Sequence, residues 1–406
     1  MRPLRSVEKQ WLFTPSALQN TPSLDDGIVL SDELQRRKTA IEYMRSLALR
    51  SIHVSTGVED AEASHLRGSM IIGATLLHRF YMRRSFKDFN EKLIAPTLLF
   101  LATKIEEEPL KLRHIVNACL AKFEPPGVRG WYPTGDPHDQ PSREYRAWEK
   151  DILATEEVVL EALCFDMGVE QPWVILRRSL KGLDELVIER PGEGSGSNGA
   201  SANGNGYDQM NGKGKGKVSE AIADELGWAI LSESCLSPLP VLYAAPVLAF
   251  TAFILVLAFT EQIPLSIAFS ITSELASRFH LDISFSEEGP QGEDVTQARD
   301  CLDRFVEYCQ AGLIDPELGR YIVAEPPEGQ TGPYTRRFAL SGAKSEVVKE
   351  ERSSATVNRS ATSAEGGVIP LDAASKFGGA SSAENVVMAV ADEVKATGEP
   401  STVVQI

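Results

Sequence analysis

The stretch FLATKIEEEPLKL, residues 100–112, closes an apolar run with one lysine, three glutamates and a proline. From Leu93 to Thr103 no side chain is charged. A run that long, stopped by Pro109, reads as a helix buried in a core. Lys104 stands on the stripe Leu93, Thr97, Phe100, whose +4, +3, +4 steps mark one helical face. One explanation is that a lysine at a helix end snorkels into water and favours the negative end of the helix dipole. The other is that Lys104 has a partner elsewhere in the chain.

Outward from this helix the periodicity stays helical. Asp32 with Gln35 resembles a capping box opening a helix through Ile41, Met44 and Leu47. Thr56 with Glu59 predicts a second opening, with the stripe Ala63, Leu66, Met70, Ala74, Leu77, Tyr81. A shorter helix is expected over 111–123. A Pro/Gly-rich loop, FEPPGVRGWYPTGDPHDQP, follows it, and Pro141 suits the start of a helix over 142–164. That makes five helices between residues 31 and 165. Residues 191–217 are rich in Gly and poor in apolar side chains, which predicts a flexible insertion. Helical patterning resumes at 218–231, 247–259, 267–280 and 296–309, a second block of similar size. Beyond about residue 325 the chain turns to Ser, Ala, Glu, Gly and Thr. The expected organisation is an N-terminal extension over 1–30 with a Trp-led segment, and a first helical block over 31–170. A second helical block over 171–315 and a mostly disordered tail over 316–406 complete it.

The chain has 406 residues, 43% of them hydrophobic, enough for two cored domains with unstructured segments. A net charge of −16 argues against an extended nucleic-acid footprint. Five cysteines without a CxxC pair point to structural thiols in a reducing compartment. The uncharged run from Ser234 to Thr260 is long enough to cross a bilayer. Acidic flanks and three early prolines favour a turn followed by a buried helix instead. The GxGxxG match at 194–199 precedes no helix and so lacks the anion-binding N-terminus of a dinucleotide site. No Walker, HExxH, GxSxG or Cys/His zinc pattern occurs. The residues carry no active site, cofactor site or metal site of their own, and the chain reads as a binding protein.

One more residue breaks its pattern. In DILATEEVVLEALCF, residues 151–165, Ile152, Val159, Leu160 and Leu163 form an apolar stripe. At 100° per residue Glu156 falls near its middle and Glu157 outside it. A carboxylate there is costly unless paired. If the two helices are neighbours, Lys104 and Glu156 are each other's partner.

HRFYMRRSFKDF (78–89), APTLLFLATKIEEEPLKLRHIV (95–116) and LEALCFD (160–166) resemble the first cyclin box of transcription-type cyclins. WLFTPSALQNTPSLDDGI (11–28) is similar to the tryptophan-led segment before that box in K- and T-type cyclins. HRFYMRRS followed by LATKIEE looks most like the fungal cyclin subunits of RNA polymerase II C-terminal-domain kinases. The resemblance spans 11–170 and continues weakly over 218–310. It implies an all-α fold of two stacked five-helix boxes and a regulatory, not enzymatic, role without cofactors. The implied partner is a cyclin-dependent kinase, in a heterodimer with room for a third subunit. The substrate of that complex would be the polymerase C-terminal domain, in the nucleus, promoting transcription elongation, with no membrane or direct nucleic-acid contact. Lys104 and Glu156, with Glu107 and Phe100, are the implied kinase-binding residues.

Three departures stand out. The Gly/Asn-rich insertion splits the second box. RRKTAIEYM (36–44) lacks the substrate-docking patch of cell-cycle cyclins, and no His- or Pro-rich tail is present. Three other readings stay open. One is a different transcription cyclin (T, L or C type) with another kinase. Another is a cyclin-box general transcription factor that touches promoter phosphate through Arg79, Arg83, Arg84 and Lys87. The third is a plain helical scaffold, which would bring down no kinase activity.

Overall fold

The structure is a computed structural model and describes residues 10–56, 66–136, 138–189, 220–286, 289–323 and 335–340. Its first block holds α1 (Leu30–Thr56), α2 (Arg67–Tyr81), α3 (Glu91–Ile105), α4 (Leu112–Phe123) and α5 (Arg143–Ala162). The uncharged run is the reason α3 lies at the centre, packed by the other four helices. Every residue from Ile94 to Thr103 is buried. Such a helix must satisfy its polar side chains internally. The Thr97 hydroxyl donates to Leu93 O (2.8 Å) and the Thr103 hydroxyl to Phe100 O (3.0 Å). At the N-terminus the Asn90 side chain accepts from the Lys92 amide (2.8 Å) as a helix cap.

The second block holds α6 (Pro172–Leu180), α7 (Glu220–Ser234), α8 (Ala245–Glu261), α9 (Leu265–Thr272) and α10 (Glu293–Gln310). A 3-10 segment, Ser273–Phe279, extends α9. Here α8 is the central helix, buried on all sides from Ala245 to Thr260. That accounts for the uncharged run: among the described residues no helix is long and apolar enough to cross a membrane. Among the described residues the fold is helical, save for two short antiparallel ribbons. One pairs β1 (Leu183–Glu189) with β4 (Thr335–Leu340), the other β2 (Ser284–Ser286) with β3 (Gly289–Gln291).

Several expectations are corrected. Asp32 lies in the first turn of α1, which begins two residues earlier. Thr56 ends α1 and does not cap α2; residues 57–65, Glu59 and Ala63 among them, lie outside the described residues. Residues 172–180 form a helix that the pattern reading left unassigned. Packed chain also continues past residue 315. Leu318 is fully buried, Tyr321 meets Phe259 with ring centroids 6.1 Å apart, and β4 returns to β1. The insertion 191–217 and residues 341–406 lie outside the described residues.

Polar contacts join the blocks. Arg45 pairs with Glu233 (2.9 Å), Arg67 forks onto Glu225 (3.0 and 2.7 Å), and Lys38 donates to Gly312 O (2.8 Å). The N-terminal segment lies along the same seam, where the Phe13 amide donates to Val241 O (2.8 Å).

Candidate partner-binding site

The end of α3 is shaped by its own sequence. Glu107 adopts φ +59°, so that its amide donates to Lys104 O (3.2 Å) and the Glu108 amide to Thr103 O (3.0 Å). This is a Schellman turn with glutamate where glycine is usual, and Pro109 then bars further helix. The turn fixes Lys104 in the last helical turn of α3, one turn beyond Phe100.

The Lys104 Nζ donates to both oxygens of Glu156, at 2.8 and 3.1 Å. It also sits 3.7 Å from the centroid of the Phe100 ring, a cation–π contact. Glu156 reaches it from α5, which packs directly on α3. The Lys104 side chain is 40% exposed and that of Glu156 16%, so the pair lies at the surface with its carboxylate half-sheltered. Glu156 is at the edge of the α5 stripe, not its middle: Thr155 occupies the centre, between Ile152 and Val159. Glu157, one residue along, is exposed.

Of the four residues expected at the site, the structure brings Lys104, Glu156 and Phe100 into contact. Glu107 is exposed on the adjoining turn. Two apolar residues nearby in the chain are exposed. Leu153 and Phe165 are exposed apolar side chains, at 47% and 70%, on the same helix and at its end. Phe165 follows Cys164, and both have positive φ (54° and 56°), a conformation that costs non-glycine residues energy. The signal was in the sequence: Leu153 sits on the polar side of the stripe, and Phe165 lies just past the last stripe position.

The basic cluster of α2 has a different fate. Trp11 is buried and donates its indole N–H to Asp166 (2.7 Å). The guanidinium groups of Arg79 and Arg83 lie over its ring, at 5.3 and 4.3 Å. Arg79 also donates to Gly168 O (2.9 Å), Arg84 to Arg83 O (3.3 Å), and Lys87 pairs with Asp26 (3.1 Å). Arg79 and Arg83 thus bear on the Trp-led segment through Trp11, and Lys87 through Asp26. Among the described residues no His, Cys, Asp or Glu cluster could hold a metal ion.

Residues 35–168 match the family described as cyclin, N-terminal domain. Cyclin pch1 of Schizosaccharomyces pombe is 36% identical over 164 residues, 40% of this chain and 42% of that protein. Cyclin-T2 of Mus musculus is 31% identical over 171 residues, 41% of this chain and 20% of that protein. A chain of the yeast TFIIK complex aligns with a TM-score of 0.41 at 14% identity, over 74% of this chain and 98% of that one. The aligned part is thus less than half the length of each of these two sequence relatives. The Lys104–Glu156 pair falls inside the matched region, and residues 35–168 are similar to the cyclin N-terminal domain and to the aligned parts of pch1 and the T-type cyclins.

Proposed function

We propose that the chain is the regulatory subunit of a transcription-associated cyclin-dependent kinase, and is not itself an enzyme. The observation that carries this reading is the surface pair Lys104–Glu156, held over Phe100, with exposed Leu153 one turn before Glu156 on α5. A charged pair with an exposed apolar neighbour fits a partner surface that is apolar with a few polar groups. A protein kinase is active only when its strand-3 lysine and C-helix glutamate pair and its activation loop is placed. A subunit that binds the C-helix-in form alone shifts the kinase population toward it. Lys104 and Glu156, with Glu107 and Phe100 beside them, are the residues proposed to meet that helix. The second helical block is proposed as a second cyclin box. The substrate of the complex is proposed to be the Ser-Pro-rich tail of RNA polymerase II, which places the protein in the nucleus.

The test is purification of the tagged full chain with its bound proteins, assayed on a Ser-Pro repeat peptide. Kinase activity that co-purifies, and that is lost with Lys104→Ala and Glu156→Ala, supports the reading. A folded chain that captures no kinase overturns it. Binding of DNA that weakens steeply with salt would favour the promoter-binding alternative.

A further inference from the structure

The kinase proposed above acts on hydroxyls followed by proline. Such a dipeptide is chemically distinct: proline presents no amide hydrogen after the acceptor and keeps the acceptor itself in extended backbone. This chain carries three of them, Thr14-Pro15, Thr21-Pro22 and Ser237-Pro238. The fold uses two. Thr21 is fully buried, where its hydroxyl donates to the Glu33 carboxylate and accepts from the Leu24 amide (3.4 Å) to cap the short turn Pro22–Asp25. Ser237 is also fully buried and donates to Ser234 O (2.7 Å). Neither hydroxyl meets an enzyme unless the core around it opens.

Thr14 is the exception. Its side chain is exposed, its backbone is extended (φ −75°, ψ 153°), and it precedes the 3-10 segment Pro15–Gln19 without capping it. A threonine in that place ordinarily turns its oxygen onto the first helical amides. Here the hydroxyl lies 2.9 Å from that of Ser16, which is exposed as well. The fold draws on the backbone of this stretch instead. Thr14 O accepts from the Ala17 amide (2.9 Å), and the Phe13 amide donates to Val241 O (2.8 Å). Buried Trp11 and Leu18 pin the segment on either side. The Thr14 hydroxyl takes no part in the packed core, so a group added to it meets water. Access for an enzyme needs only a local opening of residues 12–17, and local openings cost less than global unfolding.

We infer that Thr14 is a phosphorylation site, modified by the same kinase that Lys104 and Glu156 bind; the inference rests on that proposed binding role. The Thr14 Oγ1 attacks the γ-phosphorus of ATP. The new O–P bond forms as the bond from that phosphorus to the bridging oxygen breaks, ADP leaves, and the hydroxyl proton passes to the catalytic aspartate of the kinase. The product carries about −1.5 to −2 charge on the segment along the seam. The test is to incubate the co-purified complex of the full chain with Mg-ATP and to map phosphate by mass spectrometry. The expected result is phosphate on Thr14, abolished by Thr14→Ala, retained in Ser16→Ala, and absent from Thr21 and Ser237. Thr14→Ala should keep the melting temperature and kinase affinity of the parent, and Lys104→Ala should lose the label together with the kinase. If the complex phosphorylates a Ser-Pro repeat peptide but leaves Thr14 bare, or modifies Thr21 or Ser237 as readily, the site is wrong and the charged pair stands. If no kinase co-purifies, the binding role falls. A purified proline-directed kinase added to the free chain then decides the site, label on Thr14 keeping it and no label overturning it.

Discussion

His78 is a neutral imidazole fixed in the core. Its Nε2 faces the Cys235 carbonyl at 2.9 Å and so carries the proton, while Nδ1 has no protein partner. Burial first, then the Arg37 charge nearby, pushes its pKa down to about 3. Above the ordinary value near 6.5 both folded and unfolded chains hold it neutral, and stability is complete. Between there and pH 3 only the unfolded chain takes up the proton, so stability falls as pH falls, by about 1.4 kcal/mol per unit. Unfolding measured from pH 7 to 4 should show this slope, and His78→Gln should flatten it. Glu107 offers a second test at this scale. Its left-handed backbone suits glycine, so Glu107→Gly should stabilise the chain by about 1 kcal/mol, read as a higher melting temperature. If kinase affinity falls all the same, the carboxylate itself contributes to binding. Lys104 stood out in the sequence because it extends an apolar stripe, whereas Glu156 was placed in the middle of one and lies at its edge. His78 did not stand out, because its environment is assembled from residues far apart in the chain.

At the scale of elements, α3 and α8 were readable because runs without charge leave a helix only one place to go. The opening of α2 was misread, since a capping pattern at Thr56 competes with a helix already under way and loses. The β1–β4 ribbon was missed because its strands pair across more than a hundred residues, and nothing local announces that. The N-terminal segment is the element whose contribution is easiest to isolate. Trp11 is buried, bonded to Asp166 and covered by Arg79 and Arg83. Trp11→Ala should cost about 3–5 kcal/mol, as for a large buried aromatic. Denaturant titration would measure it, and a loss below about 1 kcal/mol would show that the segment is only loosely attached.

At the scale of the whole molecule, the seam between the blocks and the end of the packed chain decide what must be kept. A chain ended after Val323 retains Leu318 and its contacts, whereas one ended after Asp315 exposes that pocket. The first should melt near the full-length value, because an isolated two-stranded ribbon such as β1–β4 is marginal in water. The second should melt several degrees lower. The two-block plan was visible in the text, but its end was not, since Pro316–Val323 is too short to show a period. The assembled complex holds the central claim, that Lys104 and Glu156 form one coupled handle for a kinase. In the free chain this half-exposed pair contributes no more than about 1 kcal/mol to folding, so neither alanine variant should melt much lower. Once desolvated by a partner, loss of one member costs about 2–5 kcal/mol, or roughly 30- to 3,000-fold in affinity. The direct measurement is the dissociation constant of the co-purified kinase for the parent chain, Lys104→Ala, Glu156→Ala, their double variant and Glu157→Ala. The expected result is a large loss for each single change, a double loss smaller than their sum, and a near-silent Glu157→Ala. Equal losses at Glu156 and Glu157, or losses at Lys104 and Glu156 that simply add, would contradict it.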